Sequence, residues 1–214
     1  TTQLKSLTLT QLRGLTATDV GELSETQVAA LSATQLSGLT ATGLSALNAS
    51  QVGALSVTQI KGLGATQLGG LSATAFAQFS ATQVGALNAT QFAALSVSDL
   101  AQLNETAIAA LSSTQVGALS ATGLSGLVGT QVAALTATQV AALTATQLGS
   151  LNATDFAELS TTQVGGFSAT QLGALSSTNF AILDAPTVAG LTTTQIAGLT
   201  ATQLGGLSTT DFAR

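Results

Sequence analysis

The stretch Ser32-Ala33-Thr34-Gln35-Leu36-Ser37-Gly38-Leu39 is one unit of a pattern that returns every eight residues. Large apolar residues stand at Leu7, Leu15, Leu23, Leu31 and every eighth position through Leu207, with Phe79 and Phe167 the only members of that column other than Leu. A second column lies three residues earlier, running Leu4, Leu12, Val20, Val28, Leu36 through Phe212, and it holds only Leu, Val, Ile or Phe. Residues three apart share one face of a helix but point to opposite faces of a strand, so the pair of columns favours helix. The register does not slip between Leu4 and Phe212, which predicts a single uninterrupted octad-repeat solenoid over 1–214 with no separate domains.

The first four residues of each octad have the form of a capping box. A Ser or Thr before the helix accepts a hydrogen bond from a backbone N–H of the first turn, and a Gln three residues later reaches back to the cap's own N–H. From Thr8 to Ser208 the cap column contains only Ser, Thr, Asn, Asp184 and Gly64, with Val128 the single misfit. Asp19, Asp99, Asp155 and Asp211 replace the Gln, and Glu25 and Glu105 fall at the first helical position, where negative charge suits a helix N-terminus. Pro186 follows Asp184 by two residues, inside a first turn, where a missing N–H costs least.

One continuous helix is excluded by its geometry. Eight residues at about 100° each would carry the apolar pair around the helix within a few repeats, so nothing could bury it consistently. The unit is instead a helix of six or seven residues followed by a bend. Helices so short do not survive alone, and neighbouring octads must share one core. The expected fold is therefore an all-α solenoid of very short capped helices, one per octad, with roughly three octads per turn; a β-solenoid is the alternative, because Thr and Val favour strands. The Gly/Ala pairs near the end of each octad, such as Gly53-Ala54 and Gly69-Gly70, are expected to let helices approach closely.

Departures from the consensus follow a longer period. Bulky residues replace Gly or Ala at Glu22, Gln78, Gln102, Glu158 and Ile182, at alternating spacings of 56 and 24 that sum to 80. Asp19, Asp99 and Asn179 are also 80 apart, as are Gly43 and Gly123, and Phe76 and Phe156. Duplication of an 80-residue block explains this, and so does a superhelical turn of about 3.3 octads, which would place these residues on one side.

Composition narrows the function. The 214 residues are 45% hydrophobic, 6% charged and 3% aromatic, with no Cys, His, Met, Trp or Tyr. No thiol nucleophile, zinc finger or Ser-His-Asp triad can be built, so an enzyme is not expected, and no catalytic, cofactor-binding or metal-ligating residue is assigned. Four Lys+Arg against nine Asp+Glu give a net charge of -5, which argues against a nucleic-acid partner. No apolar run approaches the roughly 20 residues of a membrane span. Matches to the N-glycosylation pattern at Asn48, Asn88, Asn104 and Asn152 follow from an Asn cap meeting the fixed Thr/Ser two residues later. The carboxylates lack the dense ligand run of a calcium loop.

The remaining surface candidate is a column of Thr from Thr10 to Thr210, broken only by Ser50, Ser98 and Pro186. Thr34, Thr66, Thr90, Thr114, Thr138 and Thr162 represent it as a packing or binding face. Each hydroxyl is expected to bond within the first turn; the alternative is an uncharged Thr/Ala/Gly face for lateral packing, glycan or ice. Between Glu105 and Asp155 there is no charge at all, which suits a covered surface.

Octads such as Leu135-Thr136-Ala137-Thr138-Gln139-Val140-Ala141-Ala142-Leu143 resemble the tandem arrays of very long bacterial secreted and cell-surface proteins described as adhesin-like. The resemblance covers essentially the whole chain and implies an extracellular or cell-surface stalk, filament or matrix component. The absence of Cys is compatible with export. The first and last octads are as apolar as the middle, which predicts a longer array or ends that meet neighbouring subunits head to tail. Self-association is accordingly the expected partnership.

Overall fold

The computed structural model describes residues 2–207, so the expectations for Ser208, Thr210, Asp211 and Phe212 lie outside the described residues. Among the described residues the chain forms twenty-six helices, from α1 (Thr2–Lys5) and α2 (Leu9–Arg13) to α26 (Ala201–Gly205), and no strand. One helix per octad is the fold, and the β-solenoid alternative is not formed. No helix among the described residues is long and apolar enough to cross a membrane.

The octad quoted first folds as follows. Ser32 takes an extended conformation, φ -68 and ψ 159, and caps α5 (Ala33–Ser37). Its Oγ accepts from the Gln35 N–H at 3.1 Å, and Gln35 Oε1 accepts from the Ser32 N–H at 3.1 Å. Gly64 and Val128 explain why the cap column tolerates exceptions. Neither offers a side-chain oxygen, yet the Gly64 N–H still donates to Gln67 Oε1 at 2.8 Å and the Val128 N–H to Gln131 Oε1 at 3.0 Å. The glutamine half of the box works without the other.

The helices are four to six residues long, shorter than the six or seven expected. The difference lies at the last Leu of the octad, which leaves the helix to reach the next cap; Leu31, closing α4 (Glu25–Ala30), has φ -67 and ψ 140. No described residue has positive φ, glycine included. The chain therefore turns by alternating between the helical and extended basins, both open to any residue, and its glycines are not needed for the bends.

The fold comprises two compact units that divide between Ala110 and Leu111. In the first, α3 (Ala17–Gly21) packs on α6 (Ala41–Ser45), and α5 on α8 (Val57–Gly62). In the second, α15 (Ser113–Gly117) packs on α18 (Ala137–Ala141), and α16 (Ala121–Ser125) on α19 (Ala145–Ser150). Within each unit the packing is thus between helices three octads apart. In one apolar column Leu36, Val52, Leu68, Val140 and Leu148 are 0% exposed, and most of the Leu column beside it is almost as buried. Phe76 and Phe79 fill the first core with ring centroids 5.1 Å apart, and Phe156 and Phe167 the second with 6.3 Å.

Close approaches between turns bring Gly53 beside Gln78 and Gly62 beside Ala33, pairs that lie between three and four octads apart in sequence. A turn of slightly more than three octads follows. Within the first unit it brings Gln78 and Gln102 to one side, at the ends of α10 (Ala73–Phe76) and α13 (Val97–Leu100), which pack together. Within the second it does the same for Glu158 and Ile182, which follow α20 (Ala153–Ala157) and α23 (Ser177–Ala181).

The small residues serve close packing at some positions only. A Cβ added at Gly198 would lie 2.6 Å from both the Cβ and the carbonyl oxygen of Ala169, whereas one at Gly85 would meet nothing within 4 Å. Gly198→Ala is expected to destabilise the chain by about 1–3 kcal/mol through overpacking. Gly85→Ala, inside α11 (Ala81–Gly85), is expected to stabilise it by about 0.5–1 kcal/mol through helix propensity. Urea unfolding of the two variants checks both signs.

Candidate functional site

The six threonines are all exposed. In the first unit Thr34, Thr66 and Thr90 sit on α5, α9 (Ala65–Gly69) and α12 (Ala89–Ala93). Gln67 of α9 bonds to the end of α5, and α9 packs on α12, so these three lie on successive turns. In the second unit Thr114, Thr138 and Thr162 lie on α15, α18 and α21 (Thr161–Gly165), again packed in succession. The expected first-turn hydroxyl bonds are not formed: among the described residues none of these six side chains has a hydrogen-bond partner. The cap oxygen already serves the first-turn N–H, which leaves these hydroxyls facing outward.

The residue that sequence reasoning undervalued is the glutamine. Beyond its capping role, its other end joins successive turns. Gln91 Oε1 accepts from the Asn88 N–H at 2.8 Å, while its Nε2 donates to the carbonyl oxygens of Ile60 (2.9 Å), Lys61 (3.2 Å) and Leu63 (2.7 Å). Those carbonyls close α8, one turn back. Gln59, Gln67, Gln147, Gln171 and Gln195 repeat the arrangement at separations of 28 and 30 residues. Gln51 and Gln163 reach Leu23 and Leu135 in the same way. A helix end leaves its last carbonyls without intrahelical partners, and burying them unpaired would be costly. The carboxamide satisfies them, and they in turn satisfy its buried NH2 group; Gln91 is only 2% exposed.

A signal for this role was present in the sequence. Glu would complete a capping box as well as Gln. Yet the column from Gln11 to Asp211 contains Gln, Asp, Asn, Gly, Ala and Thr, and no Glu. A Glu is acceptor-only when ionised and would aim its charge at the carbonyls of the turn behind.

The exceptions divide by which half they retain. Asp19 and Asp99 keep the acceptor half, taking bonds from the N–H and hydroxyl of Thr16 and of Ser96 at 2.7–2.9 Å. Hydrogen bonds from the Thr16 hydroxyl and then its N–H hold the Asp19 carboxyl below its ordinary value. Asn179 keeps the donor half, its Nδ2 reaching the Leu151 carbonyl at 2.8 Å. Gly43, Ala75, Ala107 and Gly123 keep neither. Every octad with a bulky residue directly before its closing Leu or Phe also lacks the Gln: Asp19 with Glu22, Ala75 with Gln78, Asp99 with Gln102, Asp155 with Glu158, and Asn179 with Ile182. Side chains three apart are neighbours on a helix surface, so the larger residue stands beside the position the long amide vacates.

Chemically, this arrangement is a ladder of two-ended amides holding turn to turn, covered by an outer layer of free hydroxyls and small apolar residues. No protein-family model matches the chain, and no curated protein matches it either.

Gln91→Ala is expected to cost about 2–4 kcal/mol, since it orphans carbonyls of α8 as well as the Asn88 N–H. Gln91→Glu is expected to be strongly destabilising at neutral pH and less so in acid. Facing carbonyls raises the folded pKa of the introduced carboxyl above its unfolded value of about 4.3. The stability of Gln91→Glu is therefore retained below that pH and falls as pH rises through the folded value. Denaturant unfolding at pH 4 and pH 7 distinguishes the variants, because Gln91→Ala has no such pH dependence.

Proposed function

We propose that the chain is a structural repeat protein that builds an elongated extracellular stalk, filament or matrix by end-to-end and lateral packing of its octads, without enzymatic activity or a cofactor. The observation that carries this reading is that the staple between turns has no built-in stop. Each amide binds the turn behind it, and each turn offers the same carbonyls to the turn ahead. Gln11 and Gln27 present Nε2 groups with no acceptor among the described residues. At the other end, Ile196 and Leu204 are 37% and 39% exposed, although Leu148 and Leu172 of the same column are at 0%. A turn of the same repeat from another copy would cover both surfaces. The open-ended, heterologous contact this implies generates filaments when it does not close. The resemblance to bacterial cell-surface arrays and the scarcity of surface charge favour an exported, laterally packed material.

A second reading, a surface module for glycan or ice, is favoured by the outward hydroxyls of Thr34, Thr66, Thr90, Thr114, Thr138 and Thr162, which no protein group engages.

Sedimentation velocity and negative-stain microscopy over the micromolar range test the first reading. Concentration-dependent growth into end-to-end polymers is expected, and Leu204→Lys together with Gln11→Ala is expected to suppress it. A monomer of constant sedimentation coefficient at every concentration sinks the assembly reading. If that monomer also inhibits ice recrystallisation or binds a glycan, and loses the property on Thr114→Lys with Thr138→Lys, the second reading takes its place.

A further inference from the structure

A cleft of about 250 Å³ opens in the second unit, lined among others by Ala157, Leu159, Thr161, Ile182, Leu183 and Asp184. It lies where the amide ladder skips a rung. Thr187 occupies the glutamine position of α24 (Ala185–Ala189), and Ala157 and Leu159 stand where the carbonyl partners of a glutamine there would be. At the same sequence separations Gln171 gathers the carbonyls of Ala141 (3.2 Å) and Leu143 (2.7 Å) onto one nitrogen, and Gln195 those of Gly165 (3.0 Å) and Phe167 (2.8 Å). Thr187 is too short to follow them. Its Oγ1 pairs with Thr161 Oγ1 at 3.2 Å, and among the described residues no donor reaches the Ala157 or Leu159 carbonyl oxygen.

The charged group of the cleft is an acceptor as well. Asp184 caps α24, its carboxylate accepting the Thr187 N–H at 2.9 Å. Hydrogen bonds from the Thr187 side chain and then from its N–H hold that carboxyl below its ordinary value, so it is ionised at neutral pH. Negative charge is concentrated here. Between Leu111 and Leu207 the charged residues are Asp155, Glu158 and Asp184, with no Lys or Arg to neutralise them. Asp184 lines the cleft, Glu158 lies between the two residues with free carbonyls, and Asp155 stands two residues before Ala157. Apolar side chains complete the lining. Ile182 is 43% exposed, and Leu183 is only half-buried although Leu175 and Leu191 of the same column are buried.

We propose that this cleft binds a primary alkylammonium group. Its three N–H bonds meet the Ala157 carbonyl, the Leu159 carbonyl and the Asp184 carboxylate, and its alkyl chain lies along Ile182 and Leu183. An ammonium carries three donors and no acceptor, so it suits a set of acceptors that would repel the oxygen of an amide or a carboxylate. A divalent metal ion fits less well. Among the described residues no three carboxylates gather to hold one, and an ion would make no use of Ile182 and Leu183. A free amine and a lysine side chain share the chemistry that the cleft recognises.

Butylammonium is the probe, titrated into the full chain at constant ionic strength while the backbone amide resonances of Leu159, Ser160, Thr161 and Asp184 are followed. A saturable response is expected, with a Kd of roughly 1–30 mM for so few atoms. Butyltrimethylammonium keeps the charge but has no N–H, and butanamide keeps the chain but not the charge; each is expected to bind about fivefold more weakly, or worse. Asp184→Asn removes the charge and keeps a side-chain cap, as Asn48 does for α7 (Ala49–Gly53), and is expected to weaken the response about fivefold. Thr187→Gln carries an amide to the two carbonyls and is expected to abolish it. Nα-acetyl-lysine methylamide presents the same head group on a peptide stem. Binding at least as tight as that of butylammonium assigns the site to a lysine side chain, and weaker binding assigns it to a free amine. An equal response to butyltrimethylammonium, butanamide or calcium, a full response in either folded variant, or shifts that never saturate, each overturns the proposal.

Discussion

The structure depends on one side chain reaching in two directions at once. A glutamine at the third helical position closes the start of its own helix with its oxygen and the end of a helix one turn back with its nitrogen. Helices of four to six residues have few internal hydrogen bonds and would melt in isolation. Here many of their ends are matched to one another through glutamines, so the polar interior costs little and the apolar columns supply the drive. Neither part suffices alone: the Leu and Val columns are indifferent to small slips along the turn, whereas the paired carbonyls that each amide meets on the turn behind fix one register.

The two kinds of contact are offset. A helix packs on the one three octads away, as α5 on α8, while its glutamine reaches the end of a helix four octads back, as Gln67 of α9 does at the end of α5. An octad that carries the glutamine is therefore tied to two others on the preceding turn, in the way staggered bricks span the joints beneath them. That offset also explains how the ladder can skip rungs at Gly43 or Ala75. The turn is still held by flanking glutamines such as Gln35, Gln51, Gln67 and Gln83.

Much of this was legible in the sequence. The period of eight, the three-residue spacing of the apolar columns and the Ser-x-x-Gln start gave helix, phase and cap for each octad, and even Pro186 falls in a first turn as expected. The long-period recurrence of Asp19, Asp99 and Asn179 pointed to a turn slightly longer than three octads, and the approach of Gly53 to Gln78 and of Gly62 to Ala33 agrees with it. What stayed hidden was the far end of the glutamine. A side chain's local partner can be read from spacing, but its partner on the preceding turn depends on the pitch of the superhelix, which no single octad encodes. The outward hydroxyl of Thr34 was misjudged for a related reason: its would-be donor and acceptor were already committed to Ser32 and Gln35.

The near-integral relation between octads and turns bears on how such a gene can change. A copying error that adds or removes one octad rotates everything downstream by about a third of a turn, carrying Glu22, Gln78 and their like to a new side. An error of ten octads rotates it by almost nothing, because the spacings of Gly53 from Gln78 and of Ala33 from Gly62 bracket one third of that length. Recombination between misaligned copies would therefore be filtered by geometry, with lengths that differ by whole ten-octad blocks preserving the pattern of faces and intermediate lengths scrambling it.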